Sequence, residues 1–102
     1  MVIAEVSLVP LGTGASVGAM VSEVVRLIRE SGVRYEFHAM GTNLEGEWDD
    51  VMTLVRRCHE RLFELGAPRV SITMKITERR DKRESIESKK TRVRQMLGEH
   101  QN

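Results

Sequence analysis

One cysteine, two prolines and four aromatic side chains are all that this chain of 102 residues holds of those types. The lone Cys58 excludes an internal disulfide and fits a reducing compartment. None of the aromatic residues is interleaved in the basic stretch at 79–94, which argues against a nucleic-acid site there. Charge of one sign is also missing. The net charge is +1, so no whole-molecule field draws in nucleic acid or an anionic membrane. No apolar run approaches the roughly 18 residues that span a bilayer. Glu5 interrupts the apolar opening, which therefore lacks a signal-peptide pattern. What is present is ordinary globular material, 40% hydrophobic and 30% charged. These features predict a single domain over residues 1–102, cytoplasmic, with neither nucleic acid nor membrane as a partner.

Val2 to Val9 alternates as a strand with one buried face, and Pro10, having no N–H, is expected to end it. Glu5 and Ser7 stand two apart and share a face, which makes that face the candidate working surface. Gly12-Thr13-Gly14 permits a tight turn, with Ser16 placed to cap the following helix. Val17, Met20, Val21, Val24, Val25 and Ile28 form that helix's apolar stripe, and Gly32 follows it. RYEFHAM at 34–40 alternates again, with Glu36, His38 and Met40 on one face and Tyr35 and Phe37 on the other. Gly41-Thr42-Asn43 reads as the turn of a hairpin whose second strand is short. Asp49 suits a helix N-cap, and Val51, Leu54, Val55, Cys58, Leu62 and Leu65 give the second helix its apolar side. Val70, Ile72, Met74 and Ile76 alternate with Ser71, Thr73, Lys75 and Thr77 in a last strand. Ser85 can cap a third helix to Leu97 with a thin stripe of Ile86, Val93, Met96 and Leu97.

The predicted fold is therefore α+β: a ferredoxin-like βαββαβ antiparallel sheet, two helices on one face, and a C-terminal helix. Helices on one side leave the other side with Ile3 and Val9, and Met40 as a further candidate, among polar groups. A second copy of the sheet is the simplest cover for such a face.

Few residues announce chemistry. The Gly12–Gly14 loop precedes a helix and can cradle an anion or simply turn the chain. It is neither a dinucleotide fingerprint, since the third glycine position falls on Val17, nor a P-loop. Glu5 is unexpected in mid-strand and needs company, from Lys75 or an arginine across the sheet or from a cationic or amino-bearing ligand. Glu45 permits the same two readings. His38, His59 and His100 have no metal-ligand spacing with Cys58, and no nucleophilic triad is signalled. The basic run at 79–94 is broken by Asp81, Glu84 and Glu87 and reads as a solvated helix face.

Taken together, EVSLVPLGTGASV at 5–17, YEFHAMGTNLEG at 35–46, the helix with Cys58-His59-Glu60 and RVSITMKITERRDK at 69–82 resemble the thiamine-binding protein family, small ferredoxin-like proteins related to YkoF. The resemblance implies a cytoplasmic, non-enzymatic binder of thiamine or its hydroxymethylpyrimidine moiety, with that ligand bound and no further cofactor. It also implies a homotetramer built as a dimer of dimers, and ligand contacts at Glu5, Ser7, Thr13, Ser16, Met40, Thr42 and Glu45. The chain departs from the family pattern at Gly18, where a serine is common, and at Ala39, where a proline is common. Two rival readings stand beside it: an assembly module with no small ligand, and an enzyme of small metabolites, which the fold by itself does not exclude.

Overall fold

A computed structural model describes residues 1–14 and 17–98. The chain runs β1 (Val2–Leu11), α1 (Val17–Glu30), β2 (Arg34–His38), β3 (Gly41–Gly46), α2 (Trp48–Glu64), β4 (Arg69–Glu78) and α3 (Ile86–Met96). The strands form one antiparallel sheet in the order β2-β3-β1-β4, which is the ferredoxin-like arrangement predicted from the alternation of strand and helix patterns.

The even-numbered residues of β1 point to the helices. Val2, Ala4 and Val6 are buried there with Leu44 of β3, Met20, Val24 and Ile28 of α1, and Val51, Leu54, Cys58 and Leu62 of α2. Val70, Met74 and Ile76 of β4 join this core from its margin. Burial pushes the Cys58 thiol up to about 11, so it stays protonated and inert near neutrality. On the helix surface Glu23 of α1 reaches Arg61 of α2 at 3.2 Å. Its carboxyl is held down at about 2, chiefly by the hydrogen bonds it accepts from Arg26 and then by the one from Arg61.

Several local expectations change. β1 continues through Pro10, which lies opposite Val70, to Leu11. Pairing with β3 stops at Val6, so this end of β1 has a neighbour on one side only, where a missing N–H is tolerated. α2 begins at Trp48, with Glu47 rather than Asp49 at the N-cap and no side-chain capping bond. The hairpin turn is Ala39-Met40, and Gly41-Thr42-Asn43 is already strand β3. Gly41 is required there for want of room: a Cβ on it would stand 2.7 Å from the Val6 carbonyl oxygen, a backbone atom that cannot step aside.

α3 lies on the side of the sheet away from α1 and α2. Ser85 caps it through a reciprocal box with Ser88, and its first N–H, that of Ile86, donates to Glu45 Oε1 at 2.7 Å. Lys90 then donates to Glu36 Oε2 at 3.1 Å. Ile86 is buried while Val93, Met96 and Leu97 remain exposed, so the rest of the thin apolar stripe is left uncovered among the described residues. Among the described residues no helix is long and apolar enough to cross a membrane.

Candidate functional site

Strand register arranges the odd-numbered face of β1 into transverse rows. One row runs Lys75, Glu5, Asn43, Glu36 across β4, β1, β3 and β2. The next, toward the start of β1, runs Thr77, Ile3, Glu45, Arg34. On the other side Ser7 lies opposite Thr73, near His38. With α3 as a wall, these rows enclose an open cleft of about 620 Å³ lined by Glu5, Asn43, Glu36, Lys75, Thr77, Ile86 and Lys89.

The polar groups in this cleft are connected. Asn43 Nδ2 donates to Glu36 Oε1 at 3.4 Å, and Asn43 Oδ1 stands 3.1 Å from His38 Nε2. The Met40 N–H donates to His38 Nδ1 at 3.3 Å, so the neutral ring that satisfies both contacts carries its proton on Nε2. Glu5 Oε2 lies 3.5 Å from the same Nε2. Glu5 is thus the acid of the row with acceptor capacity to spare, and its side chain is 55% exposed. Lys75 is directly opposite Glu5 in register but forms no ion pair with it among the described residues. The expected cross-sheet partner of Glu5 is replaced by His38, because β2 brings the imidazole over Asn43.

The other predicted contact residues are dispersed. Ser7 shares the face of Glu5. Thr42 points the opposite way, against the helices, and is 5% exposed opposite Val6. Met40 stands at the hairpin tip, 81% exposed. Glu45 is buried, and its carboxylate is occupied by the Ile86 N–H and by Arg34 Nε at 3.4 Å. Thr13 lies in the loop beyond β1, its Oγ1 buried and without a hydrogen-bond partner among the described residues. Six residues of strand separate Glu5 from Leu11, roughly 20 Å, so Thr13 does not meet Glu5 within one chain. Ser16 lies outside the described residues, as does His100.

Asn43, Glu36, Lys75 and Lys89 were not singled out as contacts by sequence. The signal for the first two was available: Glu36 and His38 share a face by alternation, and a hairpin with a shorter turn puts Asn43 beside both. Lys89 comes from α3, whose docking no local pattern specifies.

Fold and site together define a ferredoxin-like α+β protein with a mixed-charge cleft on its second sheet face. A sequence profile described as thiamine-binding protein matches residues 4–94, and the chain belongs to that family. It is 41% identical over 88 residues to a UPF0045 protein of Synechocystis, covering 86% of this chain and 73% of the relative. The crystal structure of a hypothetical protein from Methanocaldococcus jannaschii superposes with a TM-score of 0.79 at 36% identity, covering 97% of each chain. A Thermotoga maritima structure put forward as a thiamine biosynthesis/salvage protein has a TM-score of 0.78 at 22% identity, over 91% of this chain and 98% of its own, and shares the fold.

Proposed function

We propose that this protein is a non-enzymatic, cytoplasmic binder of thiamine or its hydroxymethylpyrimidine moiety, acting in sequestration, delivery or sensing. The observation that carries the reading is the half-exposed Glu5 carboxylate beside Asn43 in the cleft. An aminopyrimidine presents an amino donor next to a ring acceptor. A carboxylate accepts from the amino group, and a carboxamide N–H serves the ring nitrogen. Ile3 and Ile86 supply apolar contact for the rings. Family membership supports the same ligand class, as does the role put forward for the Thermotoga maritima protein.

A thermal-shift series with thiamine tests this. Binding to the folded state alone stabilises by RT ln(1 + [L]/Kd), about 2.7 kcal/mol at a hundredfold excess over Kd. The wild type should show that rise, and Glu5→Gln should lose most of it while its ligand-free Tm stays put. An unchanged thiamine affinity in Glu5→Gln would remove this carboxylate from the site.

The same proposal includes assembly as a homotetramer, a dimer of dimers. Val9 and Leu11 at the far end of β1, Met40 at the hairpin tip, and Val93 and Leu97 on α3 are exposed apolar groups that further copies would cover. Light scattering at micromolar concentration should give about four times the mass of one chain; a monomeric mass would contradict it.

A further inference from the structure

The charges in and beside the cleft do not match a ligand that is only a cation. Lys75 and Lys89 line it without ion-pair partners among the described residues, and the carboxylate of Glu36 is already taken by Lys90 and Asn43. A second hollow of about 260 Å³ adjoins the cleft, sharing Ile3 and Thr77 with it and lined by the turn that follows β4. In that turn Arg79 is paired with Asp81 at 2.9 Å through Nη2, and Arg80 with Glu78 at 2.8 Å. Lys82 and Arg83 line the same hollow and have no ion-pair partner among the described residues; Glu84 is the one carboxylate in its lining, and the neighbouring Asp81 is held by Arg79. The two hollows together therefore have their spare acceptor at Glu5 and a surplus of cations unpaired among the described residues, Lys75 and Lys89 in the cleft and Lys82 and Arg83 in the second hollow.

We propose that the ligand of these two hollows is a phosphate ester, its ring end over Glu5 and Asn43 and its phosphate on Lys82 and Arg83. This rests on the thiamine reading above and narrows it to the phosphorylated forms. Four residues of strand at about 3.3 Å each separate Glu5 from the level of Met1 and Arg79, roughly 13 Å. An aminopyrimidine, a methylene bridge, a thiazolium and a hydroxyethyl phosphate laid end to end fill a trough of that length. Ile3 and Thr77, shared by both hollows, form the floor between the two ends. The ester also reverses the electrostatic mismatch, because phosphate oxygens are charge-assisted acceptors for Lys and Arg while the amino group keeps Glu5.

The test is calorimetric titration of the full-length chain with thiamine, thiamine monophosphate, thiamine diphosphate and inorganic phosphate. The monophosphate should bind about tenfold or more tighter than thiamine, the gain expected from charge-assisted bonds at an exposed site. In a Lys82→Ala/Arg83→Ala double variant that advantage should fall to near unity while thiamine affinity is unchanged. Both side chains are exposed, so the fold should survive, which an unaltered Tm verifies. If thiamine binds and its esters bind no tighter, or if their advantage survives the double variant, the phosphate assignment is overturned and the thiamine reading stands. If no thiamine compound binds, the thiamine reading fails and the assignment with it.

Discussion

Leu62→Ala should lower the unfolding free energy by about 2–5 kcal/mol, the range for truncating a fully buried leucine. Leu62 is 0% exposed and sits in the layer between α2 and the helix-facing side of the sheet, among Val2, Leu44 and Ile28. Alanine there forfeits the transfer energy of the lost carbons and leaves a void that a close-packed interior only partly refills. Domains of this size are stable by about 5–15 kcal/mol in all, so this one change removes a large share. Urea denaturation should show the midpoint falling with the slope unchanged, which separates lost stability from an altered unfolded state. Leu97→Ala provides the contrast. That side chain is 69% exposed, and in the isolated chain its truncation should cost little. Equal losses in the two variants would contradict the placement of the core.

The contrast between those leucines also marks how far the sequence could be read. Alternation in β1 and β4 and the apolar spacing in α1 and α2 identify the elements, and the order of elements leaves one plausible sheet topology. The same alternation puts Glu5 and Ser7 on the face away from the helices. Thr42 escaped that logic. Gly-Thr-Asn is a turn signal by composition, but Gly41 is glycine because the Val6 carbonyl leaves no space for a Cβ. Once Gly41 belongs to the strand, Thr42 points inward and Asn43 outward beside Glu5. Glu45 escaped for another reason. Its carboxylate is committed to a helix that starts 41 residues later, and no local pattern encodes a contact of that range. An acid in a strand reads equally well as a ligand contact or as an anchor until the position of α3 is known.

That anchor yields the second large expected effect: Glu45→Ala should release α3 from the sheet. An isolated helix of about a dozen residues is marginal in water, and α3 has 11 with few apolar positions. Apart from Ile86, its connections to the sheet are polar: the buried Glu45 carboxylate on the Ile86 N–H and Lys90 on Glu36. A hydrogen bond to a buried charged group contributes about 1.5–3 kcal/mol. Alanine abolishes it, exposes the first turn of α3 to solvent, and leaves Arg34 without its carboxylate. Hydrogen exchange should then show protection lost through Ile86–Met96 and retained in β1 and α2, since the main core includes no residue of α3. Ligand affinity should fall as well, by about tenfold or more, because Ile86 and Lys89 form one wall of the cleft. Glu45→Gln separates the two functions of the side chain. Its carbonyl oxygen still accepts from the Ile86 N–H while the charge facing Arg34 is gone, so α3 should stay protected for the most part and most of the affinity should survive. Protection of α3 that is unchanged in Glu45→Ala would mean that something other than this carboxylate holds the wall of the cleft in place.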